Sequence, residues 1–184
     1  MLERAIIDHA SPTLARLKLG SLFSFRIEEG FFSEYASLRD QLRGKGVTLS
    51  ILKANQGKAL IYVYRAAELG KTLRDREVQR LLKNYGYGRF DAQGALEALR
   101  ARLNAADLFP HEIGIFLGYP LEDVLGFIEN GGRNCLSCGC WKVYSNECEA
   151  LKAFERYEKC KAVYRRLFAS GCPLSRLTVA ARTA

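Results

Sequence analysis

The chain has 184 residues, 48% of them hydrophobic and 26% charged, and 28 Lys+Arg against 20 Asp+Glu give a net charge of +8. A chain of this size buries roughly 70% of its unfolded surface, so it needs neither disulfides nor a metal to fold, and its balance excludes disordered and collagenous classes. No run approaches the ~18 apolar residues of a membrane span, and MLERAIIDHASP has acids in its apolar run and no signal-peptide cleavage site, so a soluble, cytoplasmic protein is expected.

The charge is uneven. Residues 1–106 hold 18 Lys+Arg against 11 Asp+Glu, and residues 107–184 hold 10 against 9. A basic half therefore precedes a motif-bearing half, within what reads as a single domain over 1–184. In a reducing compartment the six cysteines are expected as thiols or metal ligands, not as disulfides.

Leu2 to Asp8 has the spacing of a short amphipathic helix. Ser11-Pro12 suits an N-cap with Pro at the first helical position, which predicts a second short helix over 13–18. Alternation over 21–27 predicts a strand, and Phe32, Tyr35, Leu38 and Leu42 step by three and four along a helix over 31–42. VTLSILK and ALIYVYR, separated by residues 54–58, predict a central hairpin over 47–65. A helix follows with Val78, Leu81, Leu82 and Tyr85 on its buried stripe, and Asp91 caps another carrying Leu96, Leu99 and Leu103. Arg74, Arg76, Arg80 and Lys83 give the first of these helices a basic face. A solvated surface is preferred there to nucleic-acid binding, because GYGRF lacks a companion RNA-binding motif.

Residues 109–144 concentrate the chemistry. Ile113, Ile115 and Leu117 alternate with Gly114, Phe116 and Gly118, which predicts a central strand with a glycine-opened face. Pro120 then starts a helix ending at Asn130-Gly131-Gly132. Strand, glycine and helix resemble a phosphate cradle, but Glu122 and Asp123 in the first turn would repel an anion. CWKVY predicts a short strand, and 147–169 a long helix with an apolar stripe from Ala150 and Leu151 to Leu167 and Phe168. The tail after Pro173 is expected as an edge strand or a mobile end.

Three sets of residues are candidates for function. His111 and Glu112, at the entry of the 113–118 segment, are the candidate catalytic pair. Gly118, Tyr119, Trp141 and Tyr144 are candidates to line a ligand pocket at its end. Cys135, Cys138, Cys140 and Cys148 form a C-x2-C-x-C-x7-C series, a candidate metal site that lacks the second C-x2-C of a standard ribbon; ordinary thiols are the simpler alternative. His9 is the only other histidine, and its convergence with His111 and the thiols would favour chemistry.

HEIGIFLGYPLEDVLGFIENGG with WKVY, SPTLARLKLGSLF, the hairpin ending LIYVYR, and the final helix with Tyr157 and Cys160 resemble an uncharacterised bacterial family. It is a domain of unknown function of about 200 residues, met mostly in anaerobic Gram-positive bacteria. The resemblance implies no activity, cofactor or catalytic residue. It implies Cys after the histidine matching His9, where this chain has Ala10, and an aromatic residue where it has Cys140.

The expectation is an α+β domain with a mixed, mainly antiparallel sheet of about five strands flanked by helices. Its expected role is to bind a small molecule, with an enzyme among the candidates. The alternatives are a metal- or thiol-linked protein using the Cys135–Cys148 cluster, and an adaptor for an acidic partner through the basic helix 73–84. Neither nucleic acid nor membrane is an expected partner, and the residues specify no cofactor.

Overall fold

A computed structural model describes residues 1–105 and 109–181. The charge boundary at 106/107 and the last three residues of the tail lie outside the described residues. The chain divides into two compact units: one is Met1–Leu69 with the chain from Cys160 onward, the other Gly70–Lys159. The fold is α+β, but the five strands among the described residues do not share one sheet. Three form an antiparallel sheet in the first unit and two a separate ladder in the second.

In the first unit, helix α1 (Leu2–Leu14) leads to β1 (Gly20–Arg26), α2 (Phe31–Arg43), and the hairpin β2 (Val47–Asn55) and β3 (Lys58–Arg65). The strand order is β1-β3-β2, so β3 is central and β2 an edge. The hairpin turns at Gln56-Gly57, both with positive φ, and a bulge near Leu52 shifts the register between Ile51 and Lys53. Ala59, Ile61 and Val63 lie in the core with Ile6, Leu14, Leu42 and Leu49.

The α2 stripe falls as expected at Leu38 and Leu42 but starts at Phe31, not Phe32. Phe31, Leu38 and Leu42 are buried while Phe32 is exposed, and Phe31 stacks on Phe25 with ring centroids 5.7 Å apart.

The expected break at Ser11-Pro12 is absent: α1 runs through Pro12. Proline leaves the carbonyl four residues back without its amide partner, and the Arg165 guanidinium donates to that Asp8 carbonyl instead, at 3.4 Å. Neither is the tail an edge strand. Leu174–Leu177 forms a short helix with both leucines buried, after which the Val179 amide donates to Leu14 O at 3.1 Å.

Arg65 fastens these pieces. It is 3% exposed, and its guanidinium donates to the carbonyls of Thr13 (2.9 Å), Leu14 (2.5 Å), Lys45 (3.2 Å) and Val179 (2.8 Å).

In the second unit, α3 (Ala66–Thr72), which begins in the first, is followed by α4 (Arg76–Asn84), α5 (Ala92–Ala105), α6 (Ile113–Leu117) and α7 (Leu121–Glu129). Then come β4 (Ser137–Cys138), β5 (Lys142–Val143) and α8 (Glu147–Ala169), whose residues from Cys160 belong to the first unit. Asp75 caps α4, accepting from the amides of Glu77 (2.8 Å) and Val78 (3.1 Å). Asp91 accepts from Gly94 N at 2.9 Å in the opening turn of α5. The buried face of α8 is Ala150, Ala153 and Tyr157; Leu151 and Leu167, expected on that stripe, point outward.

The 113–118 segment is not a strand. It is the five-residue helix α6, buried on every side. Gly118, at φ 74°, ends it in a left-handed cap: Tyr119 N donates to Gly114 O and Gly118 N to Ile115 O. Gly114 serves helix packing, since a Cβ there would lie 2.7 Å from Val124 Cγ2 on α7.

Candidate functional site

The reversal between α6 and α7 builds the site. The α6 cap turns the chain at Gly118, and α7 returns with Val124 against Gly114, so the two helices approach closely. Asp123, in the first turn of α7, is 2% exposed. Its Oδ2 accepts from Trp141 Nε1 at 2.7 Å, and its Oδ1 from Tyr144 N (2.8 Å), Ser145 N (2.9 Å) and Ser145 Oγ (2.9 Å). One carboxylate thus binds the LEDV segment to the WKVY segment. In the sequence Asp123 reads only as a charge that repels anions from a helix end, because its partners, donors some twenty residues downstream, leave no local signal.

Held this way, the Trp141 indole stacks on Tyr119 at 5.1 Å and meets Phe154 edge-on at 4.5 Å. The Tyr119 hydroxyl donates to Cys140 O at 3.1 Å. Burial, with smaller contributions from Cys140 and Tyr157, pushes its pKa up to about 12. On the near side lies a cavity of about 280 Å³, with Phe109, His111, Tyr119, Phe127 and Trp141 as its aromatic wall and Asp123, Cys138 and Lys142 as further lining groups. His111 is exposed at this cavity and meets Phe127 edge-on at 4.9 Å. Lys142 Nζ donates to Gly132 O at 2.5 Å and lies 5.9 Å from the Phe127 ring centroid.

The structure separates the candidate residues. His111, Tyr119 and Trp141 share the cavity; Gly118 and Tyr144 do not line it. Gly118 is a helix cap, and Tyr144 packs against α7, where a Cβ on Gly126 would lie 2.5 Å from it.

Glu112 is 0% exposed. It is ion-paired to Arg102 Nε and accepts from the Tyr87 hydroxyl at 3.1 Å. Arg102 also donates to Tyr85 O at 3.3 Å and lies over the Tyr85 ring. Burial opposes the Arg102 charge, but the Glu112 hydrogen bond and charge outweigh it and raise its pKa. Burial first, then the Glu112 charge, pushes the Tyr87 hydroxyl far up. Neighbours in sequence, His111 and Glu112 have different partners.

All six cysteines are thiols. Cys138 lines the cavity, while Cys140 is held through its carbonyl and Cys148 is exposed at the start of α8. Among the described residues, no three of the His, Cys, Asp and Glu side chains are placed to hold a metal ion. His9 belongs to the first unit, where it stacks on Phe23 at 5.0 Å. Among the described residues no helix is long and apolar enough to cross a membrane.

A model of the family described as "Protein of unknown function (DUF3793)" matches residues 6–178. The chain belongs to the DUF3793 family. No curated protein and no solved structure matches it. The stretches that carried the resemblance fall within the DUF3793 match, and in this member Asp123 joins two of them.

Proposed function

We propose that this DUF3793 protein binds a small, flat, largely apolar molecule in the cavity between α7 and the β4–β5 ladder. The observation that carries this reading is the wall itself: five aromatic rings around about 280 Å³, one of them, Trp141, fixed by a buried carboxylate. Pre-formed apolar concavities with a few placed polar groups are the usual small-molecule sites, and this volume lies near the lower end of their range of about 300–1,000 Å³. A ligand of one or two fused rings fits it.

Binding is favoured over catalysis by a His–Glu pair, because Glu112 is committed to Arg102 and Tyr87. His111 is the polar ring placed to touch the ligand.

Trp141 is the only tryptophan, so its emission reports on the cavity directly. Titration with single-ring and fused-ring fragments is expected to shift or quench that emission, and Phe127→Ala to weaken the effect. A panel without a binder, or binders indifferent to Phe127→Ala, would refute the proposal.

A further inference from the structure

We infer that the molecule bound in this cavity carries a carboxylate on its ring system, met by Lys142 and His111. The inference rests on the small-molecule reading above and follows from which polar groups in the cavity are already committed. Asp123 accepts four hydrogen bonds across its two oxygens, about the full capacity of a carboxylate. The Tyr119 hydroxyl spends its proton on Cys140 O.

Lys142 stands differently. An ammonium has about three hydrogens to give, and one goes to Gly132 O. Among the described residues no carboxylate pairs with it, and none holds a ring nitrogen of His111 in a hydrogen bond. Among the described residues the cavity thus retains donors on an ammonium that no carboxylate pairs, while Asp123, the carboxylate that lines it, has its acceptor sites filled by neutral donors.

A ligand must supply the complement, which is acceptor atoms and negative charge beside an apolar ring. A cationic ligand is disfavoured although the wall is aromatic. The Phe127 ring that would attract it already has the Lys142 ammonium 5.9 Å from its centroid. The β4–β5 register adds a way to locate the ligand, since Cys138 is the cross-strand partner of Lys142.

The test uses phenylacetate, phenylacetamide and phenethylamine, which share a ring and differ in charge. Each is titrated against Trp141 emission excited at the red edge, with protection of Cys138 from alkylation, mapped by mass spectrometry, placing the binder in the cavity. Phenylacetate is expected to bind about tenfold tighter than the amide at low salt, the difference between a charged and a neutral hydrogen bond, and phenethylamine weakest. The acid-to-amide ratio should fall to about one in Lys142→Met and persist in Lys142→Arg, both checked for native circular dichroism.

If the amide binds as tightly as the acid, or the ratio survives Lys142→Met, the carboxylate inference falls and the pocket stands. If none of the three changes Trp141 emission or protects Cys138 at millimolar concentration, the pocket reading falls with it.

Discussion

Replacing Asp123 by Asn and by Ala separates its shape from its charge. Its Oδ1 holds three donors and its Oδ2 one, the Trp141 indole. An asparagine oxygen placed at Oδ1 keeps the three and turns its NH2 toward the indole N–H, donor against donor. The lost charge-assisted bond costs about 1.5–3 kcal/mol, and weakening the other three to neutral strength adds about 0.5 kcal/mol each. Asp123→Asn should therefore destabilise by about 3–4.5 kcal/mol. Asp123→Ala removes every acceptor, but exposed Ser145 regains water, so about 4–5 kcal/mol is expected, at the upper end for single substitutions.

Guanidinium unfolding followed by Trp141 emission gives both values, with far-UV circular dichroism as a second probe. The native-state emission of Asp123→Asn should also change, because the indole loses its anchor. An Asn variant as stable as the native protein with unchanged emission, or an Ala variant no worse than the Asn one, would refute the role given to this carboxylate.

Arg65→Met leaves four carbonyls without their donor and should cost about 3–5 kcal/mol by denaturation; Arg65→Lys recovers only part of it, because one ammonium does not span all four. Gly114→Ala, whose new Cβ would sit 2.7 Å from Val124 Cγ2 and 3.2 Å from Tyr119 Cδ2, should lower stability by about 1–3 kcal/mol. Gly70→Ala, in α3 with open space around it, should raise it by about 0.5–1 kcal/mol, and thermal melts distinguish the two. Burial pushes the Cys160 thiol from 9.0 up to about 11, and the hydroxyls of Tyr119 and Tyr164 from 10.0 up to about 12. The unfolded chain ionises first at each, so stability should hold below about pH 9 and fall as pH rises through 11 to 12. Denaturation midpoints at pH 8 and 10.5 check this, with Cys160→Ala showing the smaller drop.

The hairpin was legible because β-branched and aromatic residues fill both strands around a Gly-bearing turn, and α4 and α5 because apolar residues recur at three and four along them with Asp91 at the second cap, although α4 starts at Arg76, after Asp75, and not at residue 73. IGIFLG was not. A five-residue helix buried on all sides has no polar face to display a period, and its alternating glycines imitate a strand. Pro12 misled for a different reason, since the donor that replaces its missing amide, Arg165, comes from α8. At the site, composition pointed to Tyr119, Trp141 and His111, which share the cavity. It could not show that Glu112 departs toward Arg102 and Tyr87 or that Asp123 is saturated, because those partners lie 10 to 25 residues away in sequence. Phe127 and Lys142 had no local signal beyond their residue types.

The four carbonyls around Arg65 also bear on the order of synthesis. Thr13, Leu14 and Lys45 all leave the ribosome before the arginine does, but Val179 follows the whole of Gly70–Lys159. The unit with the aromatic cavity is one uninterrupted stretch and emerges complete while the other still waits for its last segment. Vectorial folding then favours the continuous unit maturing first, with the interrupted one closing only when the C-terminal residues reach Arg65.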